Sequence, residues 1–276
     1  MSPEFQAPLL ASGTDPIPDR YIVVLAEGTP NATAAAAQLV RAHGGELHFT
    51  YESTIKGFAT TMPSQAMEAL RRNPIVSYVV PDGQVQATVT QSNATWGLDR
   101  IDQRSLPLST TYTYERTGSG VTAYVIDTGI RTTHSEFGGR AAVGYDVFQD
   151  GQAGQDCHGH GTHVAGTIGG VTYGVAKQAK LVSVRVLSCS GSGTWSGVIA
   201  GVDWVTANAV KPAVANISLN GATNAAVNAA VAKSIASGVV YAVAASNQAD
   251  DACTRSPASA PAAITVGATE NDDARA

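Results

Sequence analysis

Asp127 stands directly after the apolar run Ala123-Tyr124-Val125-Ile126 and directly before Thr128-Gly129. A carboxylate at the carboxyl end of a buried strand is costly unless something hydrogen-bonds it. A turn accounts equally well for an Asp followed two residues later by Gly. The segment Asp156-Cys157-His158-Gly159-His160-Gly161-Thr162-His163-Val164-Ala165-Gly166 gathers three histidines and two helix-opening glycines into one turn and helix start. Glycines there let backbone approach closely, and a His at a helix N-terminus feels a positive dipole that favours its neutral, base-competent form. Metal binding competes with base chemistry here, because Cys157, His158, His160 and His163 are all possible ligands. Zinc signatures set two histidines four residues apart with a carboxylate between them, and that carboxylate is absent. His163 reads as a packed helix residue, and the chemistry is assigned to His160.

The elements that must position these residues fall into two groups. Residues 1–19 hold four prolines and no periodic pattern, which predicts a flexible tail. Strands are expected at 21–25, 46–52, 56–61 and 75–80, with helices at 31–43 and from 63 or 64 to 73. Thr29 or Asn31 would cap the first helix and Gly44-Gly45 would stop it. This β-α-β-β-α-β order is that of a ferredoxin-like α+β domain. Between Pro81 and Asn93 the pattern dissolves, and a linker is expected there. Beyond it, apolar strands at 121–126, 181–186, 214–219, 239–245 and 262–266 alternate with helices at about 161–169, 195–209 and 223–236. Short apolar strands with helices between them predict a parallel α/β sheet covered on both faces, with chemistry at the strand C-termini.

Composition narrows the function classes. The 276 residues carry 44% hydrophobic and only 14% charged side chains, against roughly 25% charged in an average chain. Disorder driven by charge is excluded. The net charge of −5 and the lack of any Lys/Arg cluster make nucleic acid and anionic membranes poor partners. Apolar runs such as 238–245 are far shorter than the ~20 residues of a membrane span. The opening Met1-Ser2-Pro3-Glu4-Phe5 lacks the basic start and apolar run of a signal peptide.

Tyr124-Val125-Ile126-Asp127-Thr128-Gly129-Ile130 and Gly159-His160-Gly161-Thr162-His163-Val164-Ala165-Gly166 resemble the aspartate and histidine motifs of the subtilisin-like serine proteases. Residues 96–103, Ser190-Gly191-Ser192-Gly193 and Ser256-Pro257-Ala258 are similar to the proteinase K and aqualysin branch. The first domain resembles that family's inhibitory, fold-assisting propeptide. The resemblance implies a propeptide at 20–88, self-cleavage near Thr88-Val89, and a subtilisin-like peptidase domain from 89 to 276. Residues 84–88 would lie in the cleft as a product inhibitor.

By resemblance, Asp127 orients His160, His160 is the general base, and Asn247 donates to the oxyanion. Alone, Asn247 reads as a turn residue after a strand. Substrate polypeptide would add as a strand along two edges, Gly191, Ser192 and Gly193 on one side and Ser218, Leu219, Asn220 and Gly221 on the other. A flexible loop is the alternative for residues 190–193. Asn220 and Ser246 stand where the family has Gly, at a cost of order 1 kcal/mol or more if either position needs φ > 0. Cys157 and Cys189 match a disulfide of this branch, while Cys253 is left unpaired. Calcium is implied at a loop of Asp99, Asp102, Gln103, Ser109 and Thr111. A weaker second site is implied at the carbonyls of Pro261 and Ala263.

The family's nucleophile lies in a Gly-Thr-Ser-Met-Ala motif, and no Gly-Thr-Ser occurs in the 276 residues. The expectation is an incomplete peptidase domain, truncated before its catalytic serine, that does not hydrolyse peptides and leaves apolar faces uncovered. The resemblance further implies a secreted monomer. The rival reading is a non-catalytic peptide-binding or inhibitor protein acting through its first domain; a zinc hydrolase is the third.

Overall fold

The computed structural model describes residues 5–11, 16–84 and 88–276. Two compact units divide the chain, Met1–Ala87 and Thr88–Ala276.

The first unit contains β1 (Pro16–Leu25), α1 (Ala32–His43), β2 (Glu46–Tyr51), β3 (Gly57–Thr61), α2 (Ser64–Leu70) and β4 (Val76–Gly83). The sheet order is β2-β3-β1-β4 with antiparallel neighbours throughout, the ferredoxin-like arrangement. Asn31 caps α1 by accepting from Ala34 N at 2.8 Å, and Gly44 ends it at φ +71°. Val23, Leu25 and Phe58 from the sheet meet Ala36, Leu39, Val40, Met67 and Leu70 from the helices in one core.

The expected flexible tail is corrected for its described part. Ala7 is buried, its N–H donates to Arg71 O at 2.8 Å, and its carbonyl accepts from Arg71 Nε at 2.7 Å. Leu9 bridges Val79, and β1 already begins at Pro16. This extended edge pairing has too few residues to leave a period-2 signature, which is why the sequence hides it.

In the second unit come β5 (Val89–Ser92), α3 (Trp96–Ile101), β6 (Thr111–Tyr114), β7 (Thr122–Asp127), β8 (Ala141–Asp146), α4 (His160–Gly169), β9 (Lys180–Arg185), α5 (Trp195–Asn208) and β10 (Ala213–Ile217). After these come β11 (Gly221–Ala222), α6 (Ala225–Ala236), β12 (Val239–Ala244), β13 (Arg255–Ser256) and β14 (Ile264–Val266). Six strands form a parallel sheet in the order β14-β12-β10-β7-β9-β8.

Central β7 is buried along its whole length, and its alternation serves two cores. Tyr124 and Ile126 pack with Val198, Val202 and Val205 of α5 and Val227 and Val231 of α6. Ala123 and Val125 pack with Ala165 of α4, Phe137 and Leu181 on the opposite face. Cover on both faces, as expected from the sequence, holds at β7. Toward the β14 edge, Val240, Ile264 and Val266 are more than half exposed.

Candidate active site

The parallel sheet puts the C-terminus of β7 and the N-terminus of α4 side by side. Asp127 is the last residue of β7 and His160 the first of α4. His160 Nδ1 lies 2.7 Å from Asp127 Oδ1, which also accepts from Thr128 N at 2.7 Å. An ionised carboxylate only accepts, so Nδ1 carries the proton and a neutral imidazole keeps Nε2 free as an acceptor. Asp127 is wholly buried and its Oδ2 has no partner. Burial pushes its carboxyl above the usual range, against the pull of the His160 and Thr128 hydrogen bonds.

Glycine is required where the two segments cross. A Cβ on Gly161 would lie 2.2 Å from Gly129 O and 3.2 Å from Asp127 Cβ. Any side chain at 161 would wedge α4 away from β7 and open the Asp127–His160 contact.

His160 lines a cleft of about 670 Å³ whose walls include Gly191, Ser192 and Gly193 on one side and Ser218, Leu219, Asn220 and Gly221 on the other. The expected edge residues and the expected base therefore share one cavity. Trp195, which the sequence reading did not single out, adds an aromatic wall at the start of α5. Gly221 makes room for it, since a Cβ there would lie 2.5 Å from Trp195 Cζ2.

Asn247 is exposed on the turn after β12 and does not line the cleft. The preceding Ser246 has φ +121°, the strained conformation feared for that position, whereas Asn220 has none. His163, expected to be packed, is exposed, because its position on α4 faces away from the sheet. Cys157 and Cys189 form a disulfide, and Cys253 is free and exposed. Cys157 is thereby removed as a zinc ligand, and no cluster of three or more His, Cys, Asp or Glu suited to a metal occurs among the described residues.

The implied calcium loop is only partly suited to a cation. Asp99 is spoken for, because its oxygens accept from Ser109 N, Ser109 Oγ and Thr110 N. These bonds outweigh burial and hold its carboxyl below the usual range. Ser109 Oγ and Thr111 Oγ1 bond each other at 2.7 Å. Gln103 Nε2 donates to the carbonyls of Ser105 and Pro107. Asp102 Oδ2 accepts from Thr113 N, but Oδ1 is buried without a partner and is the oxygen best placed to serve a cation. Pro261 and Ala263 lie in the turn before β14.

The fold and the site together define a class: an α/β protein with an aspartate–histidine pair at the C-terminal end of a parallel sheet, beside a peptide-sized cleft. Residues 118–276 match the model of the subtilase family, and residues 20–88 match that of the peptidase inhibitor I9 domain. The extracellular serine proteinase of Thermus sp. (strain Rt41A) is 50% identical over 98% of this chain and 71% of its own length. The alkaline serine exoprotease A of Vibrio alginolyticus is 47% identical over 97% of this chain, which spans 53% of that protein. The crystal structure of a cold adapted subtilisin-like serine proteinase superposes with TM-score 0.66 at 58% identity, covering 67% of this chain and 68% of that one. The chain belongs to the subtilase family, and with it to the class of serine-type endopeptidases. Members of this family generally bind calcium, and no helix among the described residues is long and apolar enough to cross a membrane.

Proposed function

We propose that residues 89–276 provide the substrate cleft and the aspartate–histidine half of a serine endopeptidase, and that residues 20–88 are its propeptide. The observation that carries this reading is the 2.7 Å contact between Asp127 and His160, with His160 lining the cleft. His160 Nε2 is the acceptor for the proton of an attacking hydroxyl, and Asp127 holds the imidazole in the tautomer that leaves Nε2 free. Peptide main chain pairs along 191–193 and 218–221 as an added strand. Asn247 is assigned as oxyanion donor on the family resemblance. Polypeptides are the ligands of the cleft, the propeptide is its inhibitor, and Thr88-Val89 marks where a member of the family that carries its nucleophile would cleave itself. The inhibitory segment expected at 84–88 includes residues 85–87, which lie outside the described residues. The setting is extracellular, as the name of the Thermus relative states for that protein, and the working unit is a monomer.

These 276 residues contain no Gly-Thr-Ser segment, and no serine among the described residues hydrogen-bonds His160. The chain as it stands therefore binds peptide without hydrolysing it. An activated ester should give no acyl-enzyme burst, while a peptide should perturb the amide resonances of 191–193 and 218–221. A burst overturns the inactivity, and undisturbed cleft resonances overturn the cleft.

Calcium, where bound, is held at Asp102 and Gln103, with Asp99 organising the loop, and more weakly at the carbonyls of Pro261 and Ala263. A melting temperature unmoved between chelator and excess Ca²⁺ would remove this assignment.

The I9 match over residues 20–88 and the separate core of that unit favour a second reading, that this unit acts as an inhibitor of related proteases. Stoichiometric inhibition of an intact relative by the chain would support it.

A further inference from the structure

Asp156 sits at the centre of a hydrogen-bond network that the base pair itself does not use. Its Oδ1 accepts from Thr128 Oγ1 at 2.9 Å, His158 N at 2.9 Å and Gly159 N at 2.8 Å. Oδ2 accepts from Thr162 N at 2.9 Å and Thr162 Oγ1 at 2.5 Å. Both threonine hydroxyl protons are thus committed to one carboxylate. Each hydroxyl then has only lone pairs left, and each uses one. Thr128 Oγ1 accepts from Gly161 N at 2.9 Å, and Thr162 Oγ1 accepts from Arg131 N at 2.9 Å.

This polarity depends on an acceptor-only group at 156. Burial opposes its charge, but the N–H and hydroxyl donors outweigh burial and hold the carboxyl below the usual range. An amide at 156 would turn two donors toward a site already facing donors. One threonine hydroxyl would have to turn its proton away, and the backbone N–H groups bonded to the replaced oxygen, Thr162 N at Oδ2 or His158 N and Gly159 N at Oδ1, would lose their acceptor.

The network joins the two halves of the base pair. Thr128 follows Asp127, and its N–H donates to the same Asp127 oxygen that faces His160 Nδ1. His158, Gly159 and Thr162 flank His160 on either side. We propose that Asp156 is a positioning residue for the His160 imidazole, locking the first turn of α4 against the turn that follows Asp127 through the Thr128 and Thr162 hydroxyls. A simple helix cap would need the backbone amides of 158, 159 and 162 but not Thr128, and this difference makes the two roles separable.

The inference rests on the reading of Asp127 and His160 as a hydrogen-bonded base pair, and its test requires no turnover. In the 276-residue chain, the Nδ1 proton of His160 should give a low-field proton resonance, identified by its loss in Asp127→Asn. Asp156→Asn and Thr128→Val should each speed its exchange with water roughly ten- to a hundredfold, or broaden it away, the effect of losing a hydrogen bond to a charged group. Thr128→Ser keeps the hydroxyl and should restore the parental signal. Thermal unfolding of each variant reports whether the fold persists, and Thr128→Val decides the matter if Asp156→Asn does not fold. A parental resonance that survives unchanged in Asp156→Asn and Thr128→Val overturns the positioning role. If the parent shows no such resonance, the base-pair reading falls first and this inference with it.

Discussion

Asp127 shares one oxygen between two donors, His160 Nδ1 and Thr128 N, each at 2.7 Å, and leaves its other oxygen buried with none. The buried, unpartnered oxygen makes Asp127 a cost to the fold rather than a source of stability. Burial raises the Asp127 carboxyl above its ordinary value, so the folded chain holds this proton more tightly than the unfolded chain. Stability contributed at Asp127 is then present below the unfolded carboxyl value and lost as pH rises through the folded one. Asp127→Asn should unfold at higher urea than the parent at pH ~8, by about 1 kcal/mol, with the gap closing in acid. A variant less stable than the parent at both pH values would contradict this account.

Ser246 occupies φ +121° just after β12, where a side chain is strained. Its hydroxyl recovers little, accepting only from Gln248 N at 3.2 Å. Ser246→Gly should raise stability by about 1 kcal/mol, since relief of the Cβ strain exceeds the loss of that bond and the added freedom of the unfolded chain. Urea midpoints of parent and variant give the comparison, and an unchanged or lower midpoint counts against the strain.

Arg185 is wholly buried at the end of β9, with Nη1 3.1 Å from Asp146 Oδ2 and Nη2 2.7 Å from Asp150 Oδ2. Its guanidinium also lies 4.9 Å from the Phe148 ring centroid. The hydrogen bond from Arg185 holds Asp150 at about 2. Arg185→Met leaves two carboxylates facing each other and should cost about 3 kcal/mol, and Arg185→Lys should recover only part, because an ammonium cannot form the two-pronged contact. A depressed carboxyl contributes stability above its unfolded value that is lost as pH falls through the folded one. The stability gap between parent and Asp150→Asn should shrink as pH falls from about 5 toward 2. A gap that is constant with pH would show that Asp150 is not titrating against Arg185.

Much of this architecture is legible in the residues because the signals are local. Asn31 and Gly44 bracket α1 as capping chemistry requires, and the apolar runs of β7, β9, β10 and β12 read directly as buried parallel strands. Asp127 and His160 are marked by their flanking glycines before any distance is known. Where the sequence misleads, the missing information is tertiary. The edge strand β8 carries Gly144 and alternates poorly, and α3 spans only six residues, so neither has a period to read. Asp156 opens the three-histidine segment 156–166, but its five donors converge only after β7 and α4 are placed together. Asp99 is a calcium-loop residue only by family resemblance, and no local signal shows that its loop supplies N–H and O–H groups that bond both its oxygens.

The Cys157–Cys189 disulfide ties the turn feeding His160 to the loop that walls the cleft, across a sequence separation of 32. In the chain-entropy account, opening a loop of that length costs about 3–4 kcal/mol, so reduction should lower the unfolding midpoint markedly. The cost should also be local. Hydrogen exchange should rise first at 157–162 and 188–193, the two segments the bond joins, before it rises in the β7 core. Cys253 provides the internal control. It is free and exposed, and its hydrogen bond to Asp251 raises the thiol above its ordinary value, so it should react more slowly than an unperturbed exposed thiol at neutral pH. One thiol should titrate in the native chain and three after reduction and unfolding. Cys253→Ser should leave stability within about 0.5 kcal/mol of the parent, as an exposed substitution does. Three thiols titrating in the unreduced native chain would refute the bond, and with it the claim that the histidine turn and the cleft wall are covalently coupled.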